Sequence, residues 1–277
     1  MRKRITTFGV VLFAWLAFLC SAAALQAAPP DSLDLRYDLY WGGIRIADLT
    51  LRHDADPLSY GSELSIKTVS VAELLARYRG HARISGERQP PGQLVPVAYR
   101  SEHESRESTR VSIVNFDPET GRVTELDLKK RGRAKESKVP GTLQVDVIDP
   151  LTAFFRLRER VDAARSGGSK HFQAAVFDGP RRYDVRAELV GRTRIQLAGR
   201  EWQALRLELR MLPLAGFDED DLAESETGDE GLLIEVLLSD DEHLLPLKMR
   251  TLNMAINAAI WLRQDCSTPG GCLPAAS

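Results

Sequence analysis

The side chains of this chain that could do chemistry are numerous but scattered. Its five histidines, His53, His81, His103, His171 and His243, fall in neither an HExxH pair nor another zinc-ligand spacing. No GxSxG elbow, SxxK pair, phosphate-cradling glycine loop or dinucleotide fingerprint is present. Ser239-Asp240-Asp241 offers two neighbouring carboxylates, yet paired aspartates between strand-like runs are what a turn requires. Asp218, Glu219, Asp220, Asp221, Glu224, Glu226, Asp229 and Glu230 form an acidic stretch whose oxygens would suit a divalent cation. The EF-hand order is missing, so the stretch reads as a solvated loop. Carboxylate hydrolysis leaves little local signature and is the one enzymatic chemistry left open. The expectation is a protein with no catalytic residue, no metal and no cofactor.

Binding chemistry is better represented. Trp41, Trp202 and Trp261 sit on strand-like runs, with Tyr99 on another, and Phe154 and Phe155 sit on a helical one. On a concave sheet such aromatics would meet an apolar ligand; in a filled sheet they are core. Lys129, Lys130, Arg131, Arg133, Lys135 and Lys138 cluster about Gly132. They would meet anionic lipid head groups, pair with the acidic loop, or keep an edge hairpin soluble.

The N-terminus says where this chemistry takes place. Arg2, Lys3 and Arg4 precede an apolar run from Phe8 to Leu19, then small residues up to Ala28 and Pro29-Pro30. That order is a cleaved secretory leader, residues 1–27, and the destination is a bacterial periplasm. The run is too short for a comfortable membrane span, and Leu19 before Cys20 argues against lipidation. Losing the leader's three basic residues leaves 34 basic against 39 acidic, a net charge of −5. A nucleic-acid binder would show the opposite balance. In an oxidising compartment Cys266 and Cys272, bracketing Ser-Thr-Pro-Gly-Gly, are expected to form a disulfide that clips the tail.

The elements positioning these groups are mostly strands. Leu33, Leu35, Tyr37 and Leu39 alternate with Asp34, Arg36 and Asp38, the period of a half-buried strand. Trp41-Gly42-Gly43 turns the chain, and a shift of apolar parity between Ile46 and Leu49 predicts a β-bulge. Alternation then predicts strands over 60–67, 79–86, 95–103, 110–116, 123–131 and 134–139. Ser70 and Glu73 have capping-box spacing, which predicts a short helix to about Tyr78. Asp149-Pro150 opens a longer helix over 149–165, with Leu151, Phe154, Phe155 and Val161 on one stripe. Strands resume after Gly167-Gly168 and end in a long one with Leu252, Met254, Ile256, Ala258, Ile260 and Leu262 on one face. The reading is mainly β: one large antiparallel curved sheet, half-barrel or sandwich, with one main amphipathic helix and one short helix. A single domain over 31–263, in halves 31–148 and 169–263 joined by the helix, precedes a tail over 264–277.

Tyr37 to Ile46, Asn115-Phe116-Asp117, Ile148 to Arg158, Phe177-Asp178-Gly179, and Leu238 to Asp241 followed by Leu245-Pro246 together resemble the bacterial secreted family catalogued as domain of unknown function 3108. The acidic insertion around 216–231 and the cysteine tail depart from that pattern. The resemblance implies an all-β periplasmic protein and carries no established activity or catalytic residue. Its curled sheet with a helix is similar, at the level of fold alone, to periplasmic lipoprotein and lipid carriers. Three functions follow in order of expectation. The first is a non-enzymatic carrier of an amphiphilic envelope component, a lipid or a lipoprotein-like partner. The second is an envelope assembly factor docking on a partner protein. The third is a carboxylate-based hydrolase of an envelope polymer.

Overall fold

The computed structural model describes residues 32–90, 92–197, 199–217, 231–267 and 272–274. The leader over 1–27, Cys20 and the acidic stretch over 218–230 lie outside the described residues. Within them the first half forms β1 (Ser32–Trp41), β2 (Ile44–Ala55), β3 (Ser59–Thr68), α1 (Ser70–Leu75), β4 (Arg79–Gln89), β5 (Gln93–Glu104), β6 (Thr109–Phe116), β7 (Val123–Lys130) and β8 (Arg133–Lys135). Then come α2 (Pro150–Arg165), β9 (His171–Phe177), β10 (Arg182–Leu197), β11 (Arg200–Ala215), β12 (Leu232–Ser239), β13 (Pro246–Thr251), β14 (Ala258–Asp265) and β15 (Leu273–Pro274). The strands make one open antiparallel sheet in the order β8 to β1, then β14 down to β9, with β15 added on β14.

The two halves join where β1 pairs with β14, from Leu35 opposite Asp265 to Trp41 opposite Ala258. The sheet edges are therefore β8 and β9, and the chain between those two strands must cross from one edge to the other. It does so by main-chain bonding to both sides. Val123 donates to the Gln144 carbonyl (2.9 Å) and Val147 to the Gly121 carbonyl (3.1 Å). Ile148 donates to the Ala175 carbonyl (3.0 Å) and accepts from the Phe177 amide (2.9 Å). The sheet thus curls until its edges face each other across this strap.

α2 follows the strap directly and fills the curl. Asp149 caps it, accepting from the Leu151 and Thr152 amides (2.9 and 3.0 Å) and from the Thr152 hydroxyl. Past the C-cap at Ser166, Gly167 takes a φ of 95° and the Gly168 amide bonds back to the Ala163 carbonyl (3.0 Å). Leu151 and Phe155 join a core cluster containing Leu33, Leu35, Tyr37 and Leu262. Leu157, Val161 and Ala164 join a second with Leu205, Leu207, Val236 and Leu238. Four polar tethers fix the helix at one end of the sheet: Tyr60 Oη to Thr152 Oγ1 (2.5 Å), Arg156 to the Leu94 carbonyl (2.6 Å), Arg158 to the His243 carbonyl and Arg165 to the Asp241 carbonyl (both 2.7 Å).

Four local expectations are corrected. The capping box at Ser70 does not form: Val69 holds the N-cap position, Ser70 has a φ of 54°, and Glu73 instead accepts from the Thr68 hydroxyl (2.7 Å). α1 stops at Leu75, short of Tyr78, because Tyr78 returns to β3, its amide bonded to Thr68 Oγ1 (3.0 Å). The strand expected over 134–139 ends at Lys135, where the chain leaves to form the strap. The last strand begins at Ala258, since β13 and β14 are antiparallel and need a reversal between them. The Thr251 hydroxyl accepts from the Ala258 amide (2.9 Å) to shape that reversal. The expected bulge in β2 is present: Leu39 opposes Ala47 and Tyr40 opposes Arg45, leaving Ile46 extra.

Phe155 is 1 % exposed and stacks on the buried His53 ring at 3.8 Å. Phe155→Ala is expected to lower stability by about 3–5 kcal/mol in urea unfolding, whereas Leu58→Ala, on an exposed turn, should change it by less than about 0.5 kcal/mol.

Candidate functional site

The six aromatic candidates are not brought together. Tyr99, Phe155 and Trp202 are buried in the first core cluster, and Phe154 packs against it. Trp41 and Trp261 are well exposed; Trp261 lies on Tyr40 (4.8 Å between ring centres) with Lys248 over its ring. Lys129, Lys130, Arg131 and Arg133 stand together on the exposed β7–β8 hairpin, Lys129 paired with Asp127 and Arg131 bonded to the Glu107 carbonyl. Cys266 and Cys272 are within disulfide distance of each other. Ser239-Asp240-Asp241 is a turn, with Asp241 accepting from the Ser239 hydroxyl and from the His243 and Leu244 amides. Among the described residues no group of three or more His, Cys, Asp and Glu is placed to hold a metal ion.

What the fold does assemble is a polar cluster beneath the β9–β10 turn. A glycine makes room for it. A Cβ on Gly80 would meet the Tyr78 hydroxyl at 3.2 Å and His103 Nδ1 at 3.3 Å. Across this gap Tyr78 Oη lies 2.6 Å from His103 Nδ1, with the rings stacked. Burial, with Arg181 and Arg110 nearby, pushes the His103 imidazole below its ordinary value and so favours the neutral ring. Asp178 opens the β9–β10 turn and accepts from the Arg181 amide (2.9 Å) and guanidinium (3.0 Å). Burial still raises its carboxyl above the ordinary range. Burial chiefly, then the Asp149 and Asp178 charges, raises the Tyr99 hydroxyl, and burial with Asp178 raises that of Tyr183.

Above this level the core-facing surface opens. Cross-strand pairs place Leu39, Ile260, Met249, Val236, Leu207 and Leu189 in one row on one face. Its β11–β12 members are buried, whereas Leu39, Ile260 and Met249 are only half-buried. One step further from α2, Ile234 and Leu209 are half-buried and Trp41 is exposed. The end marked by the Gly42 turn thus offers graded apolar surface beside the Tyr78–His103 and Asp178–Arg181 pairs. The opposite end is closed by α2. A groove of about 550 Å³ also runs outside the sheet, along His171, Gln173, Arg186, Glu188, Glu208 and Arg210.

Sequence reasoning took Tyr78 as a helix end and Asp178 as a turn residue. Their meeting with His103 follows from the register that sets Gly80 opposite His103 and from the curl, and neither is written in local spacing.

Asp149 is fully buried, and desolvation pushes it up to about 6 against its hydrogen bonds. The folded value exceeds the unfolded one, so its contribution to stability is full below about pH 4 and is lost as pH rises through about 6. His103, shifted down, works in the opposite sense below its unfolded value. The difference in unfolding free energy between wild type and Asp149→Asn should therefore move against wild type between about pH 4 and 7, measured by urea titration at each pH.

No helix among the described residues is long and apolar enough to cross a membrane. None of the curated proteins matches the chain. Several solved structures are similar, two of them as follows. A β-barrel-like protein of the family DUF1849 from Brucella abortus aligns with TM-score 0.50 and 10 % identity, covering 85 % of this chain and 97 % of its own. A candidate lipoprotein from Parabacteroides distasonis aligns with TM-score 0.33 and 6 % identity over 86 % and 96 %. At these identities the first shows a shared fold and the second carries no argument. The family model described as protein of unknown function DUF3108 matches residues 36–258, most of the chain including every element of the cluster, and the chain belongs to that family.

Proposed function

We propose that this protein, once its leader over 1–27 is removed, is a non-enzymatic binding protein of the bacterial periplasm for an amphiphilic envelope component. The apolar part lies against Leu39, Ile260, Met249, Ile234 and Leu209, and the polar head meets Tyr78, His103 and Arg181. The observation that carries this reading is the gradient of burial along one face, closed at the α2 end and open at the Gly42 end. Displacement of α2 is not required: its four polar tethers make it a fixed floor.

The alternatives find less support. Strand addition needs a bare edge, and both edges are blunted. β8 is three residues long and basic. On β9 the Ser169 hydroxyl serves both the amide and the carbonyl of His171, and Ile148 occupies Ala175 and Phe177. A hydrolase would need approachable carboxylates, whereas Asp149 has no exposed surface and Asp178 is committed to Arg181.

Native mass spectrometry of the protein purified from periplasm should show added mass that organic extraction removes. A bare mass, together with no binding of a fluorescent fatty acid, would overturn the proposal. Met249→Glu should weaken fatty-acid binding by about 10-fold or more, since a charge cannot be desolvated against an acyl chain, and Leu58→Ser should leave it unchanged.

A further inference from the structure

The Tyr78–His103 bond stands where the dry part of the fold gives way to the open part, and both side chains are half-buried there. Register fixes the surroundings of the ring. His103 lies opposite Gly80 on β4 and Arg110 on β6, and Arg110 lies opposite Lys130 on β7. The charges of Arg181 and Asp178 act on it from the β9–β10 turn, and that of Arg110 from β6. Its neighbours on β5, Glu102 and Glu104, take the other face of the sheet, where Glu102 pairs with Arg100. The bond also has a direction. At 2.6 Å it lies within the range of an O–H donor, about 2.5–3.0 Å, and below that of an N–H donor, about 2.7–3.2 Å. The Tyr78 hydroxyl therefore donates and His103 Nδ1 accepts. Only a neutral ring accepts, and burial, Arg181 and Arg110 favour that form over the opposing pull of Asp178.

An imidazolium carries a proton on both nitrogens and accepts nothing. When a proton from solvent arrives at Nδ1, that nitrogen becomes the donor and the phenol oxygen the acceptor. The Tyr78 proton must then leave the line to His103, and the hydroxyl turns it toward another acceptor. No bond between heavy atoms forms or breaks. We infer that Tyr78 and His103 form a proton-driven relay: acidification frees the Tyr78 hydroxyl to donate to an acceptor oxygen on the ligand's head, so the ligand is held more tightly in acid. For its ligand this relay rests on the binding reading above. The head needs an acceptor and not a charge, because what changes hands is a hydrogen bond. The charges of Arg110, Lys130, Arg181 and Asp178 set the pH at which the ring titrates, and the reversal of the bond sets the sense of the effect.

The test reads the ring and the ligand separately, on the full mature protein. NMR of the ligand-free protein from about pH 8 to 5 should show His103 titrating below the ordinary imidazole value of about 6.5, with the Tyr78 ring signals moving at the same midpoint. The binding probe is a fluorescent alkyl sulfoxide, whose head accepts hydrogen bonds and carries no charge over that range. Its dissociation constant should fall about 5-fold as His103 becomes charged, the worth of one hydrogen bond. By linkage, saturating probe should then raise the His103 midpoint by about 0.7 pH unit. The same labelled chain ending in a methyl group should bind equally across the range. His103→Gln, which keeps Asp149, Asp178, Arg110 and Arg181, should lose the pH dependence. Tyr78→Phe should lose it too while His103 still titrates, an outcome that a merely structural tyrosine would not give. A ring that stays neutral down to about pH 5 would overturn the inference, as would a pH response that survives in either variant. Equal, pH-independent binding of both probes would sink the relay alone; no binding of either at any pH would sink the binding reading and the relay with it.

Discussion

The main-chain bonds of the strap over residues 144–148 are the constraint on which the rest depends. A fourteen-strand path with β8 and β9 at its edges would otherwise expose two ladders of unpaired amides and carbonyls. Because the chain itself runs from one edge to the other, the bonds at Gly121, Val123, Ala175 and Phe177 draw those edges together with little extra chain. The curl gives the core two sides to pack between, and the helix that follows the strap is delivered into it. A buried aspartate at the junction turns the chain from extended to helical and bonds both amides of the first turn. The cost is a carboxylate held out of water, which the structure meets with three hydrogen bonds.

That arrangement divides the molecule along its length. Near α2 the apolar rows from both halves of the sheet meet the helix and are dry. Away from it the same rows continue without a partner, and the sheet's polar inward positions converge under the β9–β10 turn. Gly179, at a φ of 100°, lets this turn approach Ser112 and Leu128 on β6 and β7. Apolar surface and titratable groups thus share one end because the edges meet there, across a turn instead of the strap.

The legible part of this in the sequence was the part written at short range. Alternation located the strands, Asp149-Pro150 and Gly167-Gly168 bracketed α2, and the parity change beyond Ile46 located a bulge. What was misread depends on partners far away in the chain. Ser70 has the composition of a cap, but Thr68 competes for Glu73 and wins because β3 already fixes its position. Residues 252–262 keep one apolar parity, yet the pairing of β13 with β14 forces a reversal through them. The Tyr78–His103 pair joins residues 25 apart, and its link to Asp178 and Arg181 exists only once the sheet has curled. Periodicity shows which face a residue takes and is silent about which faces meet.

The tail adds a matter of orientation. The Asp34 carbonyl accepts from the Cys266 amide (2.7 Å), and the Asp34 amide donates to the Ser267 hydroxyl (3.0 Å), so the cysteine clip fastens the end of β14 to the beginning of β1. Both strands reach this point at the α2 end, with the Gly42 turn at the far end of the curled sheet. Anything attached ahead of β1 or beyond the clip, such as a label, an affinity handle or a surface linker, therefore leaves from the pole opposite the open end. Immobilised in that way, the molecule would stand with its mouth facing outward.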